Sequence, residues 1–404
     1  MFTGAISQHT VTTTDADFGS FGLADDLLRS LGEIGYEHPT PVQSRVIPIA
    51  LSGQDVIGLA QTGSGKTAAF GLPMAQRLSR SKGVRGLILS PTREIALQTK
   101  AFLTTLAKHH PLKTACVIGG VRFRPQIQDL RNDPDIIVAT PGRLVDHMER
   151  GNVSLAQVEI LVLDEADHML DLGFLPQIRR VLEELPRQRQ TMMFSATMPD
   201  MIERLAQQFM RDPVRVDILP EGRAAEGIEH RLYMVDPEDK KRCLMALLEG
   251  EQGATLVFMR RKIDAEWASR QLAQEGHEVD RIHSNLSQSQ RVAALQGLRE
   301  GGHRILVATD IAARGIDIPA IEHIINFNPP ETVEDYIHRA GRTARGTSKG
   351  IVSTIGTWRD KPIIREIEAA LGQELPRLTM PGVEPYAERK TTVRGRKLLR
   401  RRLL

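Results

Sequence analysis

The sequence predicts an α/β protein of two tandem domains, each a mostly parallel sheet with helices on both faces. Three observations carry this. Short apolar runs recur with helical stretches between them, and nearly all are continuous, not alternating, as strands covered on both faces read. The rhythm breaks at residues 217–227, rich in Gly, Pro, Ala and charge, and then resumes. The 404 residues are too many for one ordinary core.

Taken in order, residues 1–17 are polar and Thr-rich, a flexible N-terminus without an apolar signal region. Leu27, Leu28 and Leu31 share one helical face. A proline-punctuated loop, Gly35–Gln43, precedes a second amphipathic helix at Ser44–Leu51. Val56-Ile57 reads as a buried strand, and Ala68–Leu72 opens the next helix. Further strands are expected at Gly86–Leu89, Ala115–Ile118, Ile136–Ala139, Ile160–Leu163 and Thr191–Phe194, with crossover helices such as Glu94–Ala107 and Arg143–Arg150. Past the break, strands are expected at Thr255–Phe258, Val279–Ile282, Ile305–Ala308, Ile324–Phe327 and Ile351–Ile355. The division is a first domain over 18–217, a linker over 218–227, a second domain over 228–375 and a basic tail over 376–404.

Hydrophobic content of 41% and charged content of 25% suit a soluble globular chain, and no apolar run is long enough to span a bilayer. Cys116 and Cys243, far apart in apolar contexts, read as buried thiols of a reducing, cytoplasmic compartment. Net charge is +3, but residues 389–404 carry eight basic side chains and no acid, which leaves −5 for residues 1–388. Bulk charge therefore supports nucleic-acid binding only at the tail. Leu398, Leu399, Leu403 and Leu404 also permit an amphipathic helix for a protein partner there.

The chain is organised around Ala60-Gln61-Thr62-Gly63-Ser64-Gly65-Lys66-Thr67, between a strand and a helix. A glycine-bearing turn there lets backbone N–H groups converge on a phosphate. Lys66 then reaches the outer phosphates and the Thr67 hydroxyl ligates Mg²⁺. The usual first glycine is Ala60, a residue small enough for the loop to close. The second domain lacks its own Gly-Lys-Thr, which suggests a nucleotide held between the two units. Asp164-Glu165-Ala166-Asp167 follows the strand Ile160–Leu163, at the end of a parallel strand where ligands gather. Asp164 is assigned to Mg²⁺ through water, and Glu165 to orienting or deprotonating the attacking water.

With these motifs in this order, the chain resembles the DEAD-box ATP-dependent RNA helicases of superfamily 2 over about residues 18–355. The resemblance implies two RecA-like domains, ATP and Mg²⁺ as cofactors, and sequence-independent binding of single-stranded or duplex RNA. It implies that Gln43 reads the adenine edge and Phe18, with Phe21 a competitor, stacks on the base. Ser195 and Thr197 of Ser195-Ala196-Thr197, with His338, would couple hydrolysis to strand separation. Pro91, Thr92, Arg93, Gly120, Thr140 and Arg143 would contact RNA from the first domain. Thr92 and Thr140 are equally suited to cap the helices that follow. Arg260 and Thr309 would contact RNA from the second domain, and Asp317 would take the ribose hydroxyls. Arg342 and Arg345 look like arginine fingers at the γ-phosphate. Ser284 stands where the family usually has glycine, and Ala344 replaces a second glycine. The short body, early Gln43 segment and basic tail are similar to the bacterial RhlE-like subgroup. The family implies ribosome-assembly or RNA-decay partners, no membrane, and either duplex unwinding or an ATP-gated RNA clamp as the output.

Overall fold

The structure is a computed structural model that describes residues 17–60, 63–78, 83–218, 227–310, 321–343 and 349–383. The linker reading at 219–226, Gln61, Thr62, Asp317, Arg345 and the basic residues 389–404 lie outside the described residues.

The first sheet contains β1 (Val56–Leu59), β2 (Gly86–Leu89), β3 (Thr114–Val117), β4 (Ile136–Ala139), β5 (Ile160–Leu163), β6 (Gln190–Ser195) and β7 (Val214–Asp217). Their order is β3-β4-β2-β5-β6-β1-β7, and every pair is parallel. The five interior strands are buried at every position. Side chains alternate between faces, so Val56, Ile88 and Val162 enter one core while Ile57, Leu87 and Leu161 enter the other. Helices on both faces seal these cores, which is why the strands read as continuous apolar runs.

The second sheet contains β8 (Ile228–Met234), β9 (Thr255–Met259), β10 (Val279–Ile282), β11 (Ile305–Thr309), β12 (His323–Asn326) and β13 (Gly350–Gly356). It is also all parallel, in the order β10-β11-β9-β12-β13-β8.

Two strands were not expected. β7 and β8 are edge strands flanking the composition break, and their sequences, Val-Arg-Val-Asp and Ile-Glu-His-Arg-Leu-Tyr-Met, mix charge with apolar residues. An edge strand covers less core, so its apolar signal is diluted. A second difference concerns the tail. Pro376 and Leu378 exchange backbone hydrogen bonds with Leu232 of β8, and Val383 is buried in the second domain's core. Residues Pro376–Val383 thus extend the edge of the second domain.

In both sheets the functional motifs follow the carboxyl ends of strands: Ala60 after β1, Pro91 after β2, Gly119 after β3, Thr140 after β4, Asp164 after β5 and Arg260 after β9. These ends face each other across the cleft between the domains, which brings the motifs together.

Candidate active site

The phosphate-binding loop is braced from the preceding helix, Pro41–Leu51. Thr40 and Gln43 form a capping box at its start, with the Thr40 N–H donating to Gln43 Oε1 at 2.8 Å. The same two side chains reach across to the loop. Thr40 Oγ1 donates to the Ser64 carbonyl at 2.7 Å, and Gln43 Nε2 donates to the Gly65 carbonyl at 3.1 Å. Gln43 is 1% exposed, so its first function is to hold the loop, leaving one N–H and one lone pair for a base. Gly65 has φ +96° and caps the helix Lys66–Arg77, whose N-terminus points at the phosphate position. Lys66 is buried, and its ammonium donates to the Ala60 carbonyl at 2.9 Å, folded back across the loop.

Phe18 requires a correction. It is 2% exposed, with its ring edge-on to Phe21 at 6.0 Å and beside Tyr36 at 6.3 Å, inside the first core. A side chain packed this way offers no open face for a base. Phe21 is only half-buried.

Asp164 and Glu165 are buried together beneath the loop. Burial pushes the Asp164 carboxyl up, with the Glu165 charge adding to the effect and nearby Lys66 opposing it. Burial acts on Glu165 in the same sense but is outweighed. The His168 Nδ1 hydrogen bond at 3.2 Å, the His168 charge, Lys66 and Arg342 together hold Glu165 below the ordinary range. The surroundings of Glu165 thus favour its charged form, which suits a general base. It also occupies the left-handed region, at φ 48° and ψ 57°. For a residue with a Cβ this conformation costs on the order of 1 kcal/mol and is held by the buried contacts around it. Thr67 and Asp164 offer hard oxygen donors near the loop, a set that fits Mg²⁺. Among the described residues there is no group of three or more His, Cys, Asp or Glu that could hold a metal ion by itself.

Asp167 is where Ser195, Thr197 and His338 meet, a position not expected from the sequence. Its Oδ2 accepts from the Ala196 N–H at 3.0 Å, the Thr197 N–H at 2.9 Å and the Thr197 hydroxyl at 3.1 Å. The Ser195 hydroxyl in turn accepts from the Asp167 N–H at 3.2 Å. His338 of the second domain brings Nε2 to 4.0 Å from the same Oδ2. Ser195, Thr197 and His338 thus converge on one carboxylate. The four-residue acidic string held Asp167, but Asp164 ends a strand while Asp167 lies in the first turn of the helix that follows, so the string's spacing did not assign it a role.

The second domain also supplies Arg342. It is 2% exposed, and its charge acts on Glu165 across the domain boundary. Its neighbour Arg339 serves a different purpose. Arg339 forks onto Asp310 at 2.6 and 2.8 Å, donates to Asn326 Oδ1 at 2.8 Å and lies 4.7 Å over the Phe258 ring. This fixes the helix Val333–Ala340 against the ends of β9, β11 and β12, a positioning role also missed in the sequence.

The predicted RNA contacts separate into two groups. Pro91, Thr92, Arg93, Thr140 and Arg143 line one cleft of about 340 Å³, which Ser284, Leu286 and Arg291 close from the second domain. Thr92 does cap its helix, its Oγ1 accepting from the Ile95 N–H at 3.3 Å, whereas the Thr140 side chain makes no cap and its Oγ1 accepts instead from the Gly119 N–H at 3.3 Å. The Arg93 guanidinium lies directly over Gly120, where a side chain would collide with it. Arg143 is held by the Val121 carbonyl at 2.8 Å and by the Phe123 ring at 4.3 Å. Arg260 and Thr309 instead line a second interdomain cavity of about 660 Å³ with Asp167, Thr197 and His338. Within the first cleft, Arg291 meets Glu94 at 3.2 Å, both largely buried. Burial lowers the Arg291 pKa, with Glu94 opposing that shift and Arg93 adding to it.

Taken together, the fold and site define a two-domain nucleotide-hydrolysing enzyme with a cleft for a polyanion. The profile of the DEAD/DEAH box helicases matches residues 40–205, and that of the helicase conserved C-terminal domain matches residues 239–347. The DEAD-box ATP-dependent RNA helicase CshA of Bacillus cereus is 39% identical over 94% of this chain and 73% of its own length. CshA of Bacillus subtilis is 38% identical over 92% of this chain and 76% of its own length. The chain belongs to the DEAD/DEAH box helicase family.

Among solved structures, Saccharomyces cerevisiae Dbp5 bound to RNA and ADP-BeF₃ superposes with a TM-score of 0.82, at 29% identity over 90% of this chain and 95% of Dbp5. A DEAD-box protein from Methanococcus jannaschii is more similar in sequence, at 35% identity over 90% of this chain and 99% of that one, yet its TM-score is 0.54. This chain therefore superposes better on Dbp5 bound to RNA and ADP-BeF₃ than on the Methanococcus jannaschii protein, despite the lower identity.

Proposed function

We propose that this protein is an ATP-dependent RNA helicase that grips single-stranded RNA without regard to sequence and opens short duplexes locally, with ATP hydrolysis stimulated by RNA. The carrying observation is that Arg342 acts on Glu165, and His338 approaches Asp167, from the opposite domain. A site assembled from two lobes is complete only when they close, so any ligand that favours closure favours turnover. The coupling is reciprocal: RNA tightens ATP binding and ATP tightens RNA binding.

In this reading the loop 60–67 and Lys66 hold the phosphates, and Glu165 orients and deprotonates the attacking water. Arg342, with Arg345 by analogy of motif, stabilises charge on the transferred group. Thr67 and, through water, Asp164 would hold Mg²⁺, which neutralises phosphate charge. Pro91, Thr92, Arg93, Gly120, Thr140, Arg143, Arg260 and Thr309 take the RNA backbone, contacts that carry little sequence information. Gln43 reads adenine with its remaining donor and acceptor, and Asp317 takes the ribose. Among the described residues no helix is long and apolar enough to cross a membrane. We place the protein in the cytoplasm, serving ribosome assembly or RNA decay. The RhlE-like assignment rests on the short body, the early Gln43 segment and the basic tail; the two bacterial relatives above are named CshA.

Glu165→Gln tests the chemistry. It should bind ATP and RNA normally and lower RNA-stimulated kcat by about 10²–10⁴-fold; full activity removes Glu165 from the mechanism. Comparing RNA with DNA as stimulators of the wild-type ATPase tests the substrate class, and indifference to RNA overturns the reading. The tail has its own measurement. Counterion release from eight basic residues adds up to about 5–6 to the salt dependence of single-strand binding. Deleting residues 389–404 should remove that increment from the log–log salt plot. An unchanged slope assigns the tail elsewhere.

A further inference from the structure

Outside both clefts, the helix Lys262–Gln274 carries an unexplained surface. Ala265, Ala268, Ser269 and Leu272 bury one face of it in the second domain. On the other side Ile263 and Trp267, one helical turn apart, are 66% and 43% exposed. Tryptophan is scarce in this chain, two in 404 residues, so a half-exposed one beside an exposed isoleucine marks a contact surface.

A groove of about 840 Å³ lies between this helix and the segment from Arg281 to Gln290. Lys262, Arg270 and Arg281 line it, against Glu266 as the one carboxylate among its described lining residues. Glu266 is shared among Arg281 at 3.3 Å, His283 at 2.8 Å and, more loosely, Arg270 at 3.6 Å, so one carboxylate faces two guanidinium groups. The Lys262 ammonium donates to the neutral side-chain Oδ1 of Asn285 at 2.9 Å, so its charge is not cancelled there. The groove therefore offers a net positive rim around an exposed indole. It is also continuous with the RNA cleft: Leu286 lines both, and Asn285 and Gln290 of the groove adjoin Ser284 and Arg291 of the cleft.

We propose that this groove is a second RNA subsite, in which a strand leaving the cleft stacks one base on Trp267 while Lys262 and Arg270 take its phosphates. Cationic side chains interleaved with an aromatic face suit single-stranded nucleic acid, since every base has a π-face and every linkage a charge. A protein partner could use the indole and Ile263, but nothing in that alternative accounts for the continuity with the cleft. The subsite would extend the grip on one strand beyond the catalytic footprint without adding to the chemistry. This inference rests on the RNA reading of the cleft.

The test uses the full chain and oligouridylates of increasing length, starting from the shortest that saturates ATPase stimulation. Trp267 and Trp358 are the two tryptophans, so Trp358→Phe leaves Trp267 as the sole indole reporter. Its fluorescence should be unmoved by the shortest strand and quenched by longer ones. Trp267→Ala should bind the longer strands about tenfold more weakly, bind the shortest normally, and keep the wild-type kcat with it. Trp267→Phe, which keeps an aromatic face, should regain most of the loss and guards against simple misfolding. Unmoved fluorescence at every length, with unchanged affinity in Trp267→Ala, overturns the proposal and leaves the surface to a protein contact. An equal loss at all lengths also overturns it, because the subsite serves only the longer strand. Failure of any RNA to stimulate the wild-type ATPase is a separate result, and removes the cleft reading together with this one.

Discussion

Gly65 leaves no room for a side chain. A Cβ built there would collide with Gln43 Nε2 and lie 2.9 Å from Thr40 Oγ1, and its φ of +96° suits glycine alone. The two groups in the way are those that brace the loop, so the substitution both strains the backbone and releases the brace. Gly65→Ala should therefore weaken ATP binding at least tenfold while leaving the melting temperature within a few degrees, because the loop lies past the carboxyl end of β1 and outside the packed core. Calorimetric titration with ATP, beside a thermal melt, checks both; undiminished affinity would show that the brace is dispensable. At this scale the sequence was informative where a residue's chemistry is unique to its task. Lys66, Asp164, Glu165 and Arg342 all stand in one site. Phe18 was misread because an aromatic residue serves a core and a base equally well, and only its neighbours Phe21 and Tyr36 decide. Asp167 went unassigned because its partners, Thr197 and His338, are distant in sequence and meet it only through folding.

The elements of the second sheet bury histidines that the first sheet largely does without. His323 on β12 is 1% exposed and bonded to Ser353 Oγ at 2.8 Å, and burial pushes its pKa down to about 4. His230 on β8, paired with the Tyr336 hydroxyl at 2.8 Å, and His303 are lowered in the same sense, again by burial. In the unfolded chain a histidine takes its proton near pH 6.5. Between that value and the folded one the unfolded state binds more protons, so stability is complete above about pH 6.5 and declines as pH falls. For His323 alone the loss approaches about 3 kcal/mol by pH 4. In the first domain His147 acts in the same direction, but buried Asp55, whose pKa burial raises, acts in the opposite one. Both tryptophans lie in the second domain, so their fluorescence follows its unfolding selectively. The urea midpoint by this signal should fall between pH 7 and pH 5, and His323→Asn should flatten that dependence. An unchanged slope in the variant would mean that His323 is not the group responsible. Interior strands such as β5 and β11 were readable because every position is buried. β7 and β8 were not, because their charged residues interrupt the apolar run; the other two edge strands, β3 and β10, were still readable. Sequence periodicity reports how much of a strand is covered, and edge strands are covered least.

For the whole molecule the question is what sets the two domains in register. Motif order in the sequence implied that they meet over one nucleotide, but gave no sign of the contact that braces them at the RNA cleft. That contact is Glu94 with Arg291, at 3.2 Å, with side-chain exposures of 3% and 13%. Glu94 directly follows Pro91-Thr92-Arg93, and the sequence offered no reason to pair it with Arg291 across the domain boundary. A buried ion pair of this kind adds little to intrinsic stability, since desolvation offsets attraction. Its effect falls on the closing equilibrium. Opening the cleft returns both charges to water, whereas closing with one partner missing strands the other, at a cost of about 2–5 kcal/mol. Glu94→Gln and Arg291→Gln, singly, should therefore leave each domain folded but weaken closure. The measurable result is the factor by which RNA tightens binding of a non-hydrolysable ATP analogue, which should fall at least tenfold in either variant. ATP affinity without RNA should change little, because Glu94 lies away from the phosphate loop. Replacing both residues removes the stranded charge as well as the attraction, so the double variant should recover part of the coupling lost in the singles. Strictly additive losses would show that the two side chains act independently, and that the domains are held in place by the Arg342 and His338 contacts at the nucleotide site alone.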